Sequence, residues 1–258
     1  MVRTRKPVPT HDVLRTAVWL SNILDVHSLS EAEFTATLAG EKDPTGIVNR
    51  WKNGVHAVKA TSLSKIEALG FENTRWVAEL PIFDLLDIRP ISEAKLLRRV
   101  SGYLVAFGSS KFRYWSFPPS ITDQSFGFNT PVALEHDADA LVERDDIYGL
   151  TGILYLLRLS EARRDQELFL HYLKYAYRAV PGLRTVNAFK QHWEGFYDCI
   201  RGHHIRDSSA FRLLKPQKDM LERLMEGRTI PARRVLRPQD QRTLRYLENP
   251  EPFVELSV

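Results

Sequence analysis

A disulfide framework is excluded at once, because the chain has a single cysteine, Cys199, among 258 residues. An unpaired thiol suits a reducing compartment, so the expected location is cytoplasmic. Long hydrophobic runs are also missing. The longest, "YGLTGILYLL" (Tyr148–Leu157), is half of what a membrane span needs. No apolar segment follows the basic start MVRTRKPVPT, so no secretory leader is expected. Linear catalytic signatures are absent too: there is no G-x-G-x-x-G, Walker A, G-x-S-x-G or H-E-x-x-H. No internal repeat stands out. The expectation is a soluble, non-enzymatic protein without catalytic residues, cofactor or metal, and with no membrane attachment.

What is present is the composition of a folded chain. Apolar residues make up 43% and charged residues 26%. The net charge of +4 is small and does not by itself imply nucleic acid. Its distribution says more. Residues 201–245 hold 12 basic and 5 acidic side chains. Within that stretch Arg228, Arg233, Arg234, Arg237, Arg242 and Arg245 form a basic patch. It suits phosphate contacts or, equally, a solvated or acidic-partner segment.

Periodicity predicts a mainly α fold in two parts, residues 1–80 and 81–258. In the first, Thr10 or Asp12 caps a helix through "VLRTAVWLSNILDV", with Val13, Ala17, Leu20 and Leu24 inward. "SEAEFTATLAG" follows, with Ser30 and Glu33 spaced as a capping box and Phe34 and Leu38 inward. After the turn "EKDP" comes "TGIVNRWKN", with Ile47, Val48 and Trp51 inward and Gly54 as the stop. Ser62 opens "LSKIEAL", with Leu63, Ile66 and Leu69 inward, and Gly70 ends it.

In the second part, "SEAKLLRRVSGYLVAFG" (Ser92–Gly108) predicts one amphipathic helix. Residues 109–131 are aromatic-rich and interrupted by prolines. Helices are expected near 137–143, 146–162, 165–179, 186–201 and 215–227. The apolar helices "IYGLTGILYLLRL" and "LFLHYLKYAYRAV" are mostly core, with enough breadth for a dimer interface.

The order "SEAEFTATLAG", "TGIVNRWKNG", "SLSKIEALGF" resembles the helix-turn-helix module of lambda-repressor and Cro-like regulators. The matching features are Ala39-Gly40, then Ile47, Trp51 and Asn53-Gly54, then Leu63, Ile66 and Leu69-Gly70. The likeness covers about residues 10–76. It departs from the family in four ways: two extra residues between Gly40 and Trp51, the acidic Glu41 and Asp43 where phosphates would approach, Lys52 in place of an acidic residue, and no proline before the last helix.

The resemblance implies that "TGIVNRWKN" is a recognition helix. One stripe of such a helix must serve the core while the other faces the major groove. Thr45, Asn49, Arg50, Lys52 and Asn53 are then outward, with Lys42 and Lys59 flanking at phosphate distance. The implied partner is double-stranded DNA and the implied role is transcriptional regulation. The alternative is a protein-interaction subunit of a larger complex, such as a phage-defence system, with a vestigial helix-turn-helix.

Other groupings carry less. Cys199, His203 and His204, with Asp198 and His192 nearby, fall short of a four-ligand zinc set, and His203-His204 after Gly202 reads as an exposed loop. The carboxylates of "EHDADALVERDD" can hold magnesium, but Asp137, Asp139, Asp145 and Asp146 are explained by helix starts. Phe112, Tyr114, Trp115 and Phe117, interleaved with Lys111 and Arg113, suit base stacking or a core-facing loop.

Overall fold

The computed structural model describes residues 7–39, 46–101, 104–106, 113–115, 138–207 and 216–227. The fold is mainly helical, as the sequence predicts. In the first part lie α1 (Thr10–Val26), α2 (Glu31–Ala39), α3 (Ile47–Lys52), α4 (Ala60–Ala68), α5 (Arg75–Glu79) and α6 (Ile82–Leu85). Then come α7 (Glu93–Val100), β1 (Leu104–Ala106), β2 (Arg113–Trp115), α8 (Ala138–Glu143), α9 (Ile147–Arg163) and α10 (Gln166–Ala179). A 3-10 turn (Val180–Thr185) leads to α11 (Asn187–Gln191), α12 (Trp193–Arg206) and α13 (Lys218–Met225).

Helix α1 is capped one residue before Thr10 and three before Asp12, its expected caps. Pro9 is the capping residue, and its carbonyl accepts from the amides of Asp12 and Val13 at 3.0 Å each. Thr10 and Asp12 are inside the helix, and Asp12 accepts from Arg15 instead. The buried stripe is also displaced: Leu14, Val18, Trp19 and Ile23 join Leu20 inside, while Val13, Ala17 and Leu24 are half-buried. The reason is that α1 packs on two sides, against α3, α5 and α6 and against α11 and α12. A single-face reading of 3.6-residue periodicity misses a helix used twice.

Helix α2 follows its signals closely, whereas α4 begins at Ala60, two residues before Ser62, with Lys59 as its cap. Ser30 and Glu33 form the capping box: the Ser30 amide donates to Glu33 Oε2 at 2.7 Å and the Glu33 amide to Ser30 Oγ at 3.3 Å. Phe34 is fully buried edge-on to Phe71. In α4, Leu63 and Ile66 point inward, but Leu69 lies past the last helical turn and is 49% exposed.

Gly54 ends α3 with φ +65°, and a β-carbon there meets Val13 Cγ1 at 2.9 Å. Left-handed backbone and close packing thus coincide. Gly54→Ala is expected to cost about 1–3 kcal/mol of unfolding free energy. A urea midpoint unchanged from the parent chain would contradict that.

One expected helix is cut short. Residues 92–108 do not form a single helix; α7 stops at Val100, and Leu104–Ala106 pairs antiparallel with Arg113–Trp115, Val105 opposite Tyr114. Helical spacing of Leu and Val persists across the junction, but a cross-strand partner outcompetes it. The start of α9 behaves as expected: Asp146 accepts from the Gly149 amide at 2.7 Å. Asp137 lies outside the described residues.

Every residue of α9 from Ile147 to Ser160 is buried, between α8, α10, α6 and α7. One contiguous set of buried residues runs from Leu14 and Trp51 through Phe83 to Leu154, Phe196 and Leu221. The segments on either side of residue 80 therefore share a core. Among the described residues no helix is long and apolar enough to cross a membrane.

His203 and His204 are not in a loop. Helix α12 continues through them to Arg206, and they are 0% and 6% exposed. His204 Nδ1 lies 3.2 Å from the Tyr177 hydroxyl. His203 Nδ1 lies 3.4 Å from Nη1 of Arg158, itself 1% exposed. Arg158 also donates to Glu161 and to the Arg89 carbonyl, and Arg206 pairs with Glu161. A buried arginine is tolerated here because it is partnered from three segments.

Candidate nucleic-acid interface

Helix α3 is one and a half turns long. Gly46, in the left-handed region at φ +56°, lets the chain enter it abruptly, and Asn53-Gly54 closes it. Six residues rise about 9 Å, enough to reach only a few base pairs. Its inner stripe is Val48 and Trp51, both nearly inaccessible. The Trp51 ring meets the Trp19 ring edge-on, with centroids 5.3 Å apart and planes at 85°. The loop after α3 is pinned by the Val58 amide, which donates to Thr16 Oγ1 at 3.0 Å.

With that stripe inside, Asn49, Lys52 and Asn53 are left exposed on the opposite face. The two amides are held together: Asn53 Nδ2 donates to the Asn49 carbonyl at 2.8 Å and to Asn49 Oδ1 at 2.7 Å. Among the described residues Asn49 Nδ2 and Asn53 Oδ1 are left as a donor and an acceptor. An amide donor–acceptor pair of this kind matches a base edge in a major groove. Lys59 is exposed one residue before α4.

Arg50 is less outward than its spacing suggests. It is half-buried, and its Nε lies 3.4 Å from the Gly46 carbonyl one turn back. Lys52 pairs with Glu31 at the start of α2, at 2.7 Å. The two side chains are 58% and 41% exposed, so this pair is weak and easily exchanged for another anion. Glu31 is 21 residues distant from Lys52, and nothing local in the sequence flags it. Lys65 of α4 is also exposed and was not among the expected contacts. Lys42 and Thr45 lie outside the described residues, as do Arg228, Arg233, Arg234, Arg237, Arg242 and Arg245.

Elsewhere the chemistry is quiet. Burial pushes the Cys199 thiol up to about 12, which keeps it protonated and unreactive near neutral pH. Among the described residues no cluster of three or more His, Cys, Asp or Glu side chains is placed to hold a metal ion. The chain matches no protein-family model, no curated protein and no solved structure.

Proposed function

We propose that the chain binds duplex DNA through the outer face of α3, as a regulator. One observation carries this reading: Val48 and Trp51 lock one face of α3 into the core, leaving Asn49, Lys52 and Asn53 exposed together. The amides read base edges, and Lys52 and Lys59 neutralise phosphates. Phosphate oxygens would take Lys52 from Glu31, since exposed ion pairs contribute little.

The test is a titration of random duplex DNA at several salt concentrations. Binding is expected to weaken steeply with salt, and each lost phosphate contact lowers the log–log slope by about one. The double variant Lys52→Ala with Lys59→Ala should therefore reduce both affinity and slope. No binding at low salt would sink the reading.

A second reading, a protein-interaction subunit, has one observation in its favour. Ile88 and Ile205 are 45% and 55% exposed, and Ile88 lies against Gly202, one turn before Ile205. Exposed apolar side chains gathered this way suit a partner surface.

A further inference from the structure

A cavity of about 600 Å³ opens behind α3. That volume lies within the range of small-molecule sites. It is distinct from the outer face of α3. Ile47 and Trp51 of α3 line it, together with Ala57 of the following loop. Pro7, Val8 and Pro9 form a second apolar wall, and proline fixes that stretch of backbone.

Polar groups reach the cavity from separate parts of the chain. Asp12 comes from α1, His56 from the loop, Lys59 and Ser62 from the start of α4, and Arg89 from the segment before α7. Their charges are not equivalent. Asp12 is already satisfied by Arg15 at 2.8 Å. Arg89 gives Nε and Nη2 to Asp87, which leaves its Nη1 donors. Lys59 makes no ion pair among the described residues. The cavity thus combines apolar walls with the Lys59 ammonium and the Nη1 of Arg89.

The walls are held by the core. Trp51 is fixed against Trp19, and the amides of Gly54 and Val55 return to the carbonyls of Trp51 and Arg50. The Val58 amide is tied to Thr16. A site whose walls are fixed before binding loses less entropy when a ligand arrives.

We propose that this cavity binds a small aromatic carboxylate, its ring between Ile47 and the Pro7–Pro9 wall and its carboxylate on Lys59 and Arg89. The inference goes beyond the DNA reading: Lys59 is common to both, but the ligand titration is run without DNA, so the two readings can fail separately.

The probe is 1-naphthoate, with 1-naphthalenemethanol as its uncharged counterpart. Both are titrated into the full chain by calorimetry or ligand-observed NMR. Naphthoate is expected to saturate in the low-millimolar range or below. The alcohol should bind about tenfold more weakly, as loss of a charge-assisted hydrogen bond implies. Lys59→Met should weaken naphthoate several-fold, toward the alcohol, and leave the alcohol unchanged. Ala57→Leu, which narrows the cavity, should weaken both. Circular dichroism checks that each variant is folded. Equal binding of acid and alcohol, no saturable binding of the acid, or an unaltered Lys59→Met titration would each overturn the proposal.

Discussion

Trp51→Ala is expected to lower the unfolding free energy by about 3–5 kcal/mol, the range for removing a large aromatic side chain from a packed core. Domains of this kind have only about 5–15 kcal/mol in total, so the variant stands near the edge of folding. The expectation rests on position as well as size. Trp51 is 3% exposed and touches the fully buried Trp19 of α1. It is also the main anchor of a six-residue helix that has no side-chain cap at its start. A helix that short has little intrinsic stability, so its form depends on tertiary packing.

The measurement is a urea melt, with the midpoint falling and the slope unchanged. Trp51→Phe should recover part of the loss. A double cycle with Trp19→Phe should give a coupling of about 0.5–1.5 kcal/mol for the ring pair. A midpoint shift below about 1 kcal/mol for Trp51→Ala would show that α3 is held by something else.

The same residue shows how far the sequence could be read. The inner face of α3 was legible because Val48 and Trp51 are three apart and bounded by a Gly stop. The capping box at Ser30 was legible for the same reason: it is a local pattern with a local partner. What failed was non-local. The pairing of Leu104–Ala106 with Arg113–Trp115 is decided across the hairpin. The neutralisation of Lys52 by Glu31 is decided between helices. "CIRGHHIR" has a glycine and two histidines in a row, which reads as loop. Only the packing of α12 against Arg158 and Tyr177 makes it a buried helix. The face of the candidate site was therefore visible in the sequence, but the electrostatic state of its basic residues was not.

That buried histidine carries the second large effect, an acid-side loss of stability. His203 is 0% exposed, and its pKa is pushed down to about 3 by burial and by the nearby cations Arg158 and Arg206. In the unfolded chain an ordinary histidine titrates near 6.5. Below that value the unfolded chain takes up a proton that the folded chain refuses. The stability tied to His203 is thus fully present above 6.5 and is lost progressively as pH falls toward 3. The slope is about 1.4 kcal/mol per pH unit for each such group, so His203 alone accounts for about 2 kcal/mol between 6.5 and 5.

His11, His171 and His192 are lowered as well, chiefly by burial, and act in the same direction. Glu161 and Asp145 are raised by burial and oppose the trend only near the carboxylate range, which makes pH 6.5 to 5 the cleanest window. Urea melts at half-unit steps across that window should show the midpoint falling with acid. His203→Asn, which keeps a polar group of similar reach without a titrating ring, should flatten the profile even if it lowers stability at pH 7. A profile as steep in that variant as in the parent would assign the acid sensitivity to the other three histidines and remove His203 from the account.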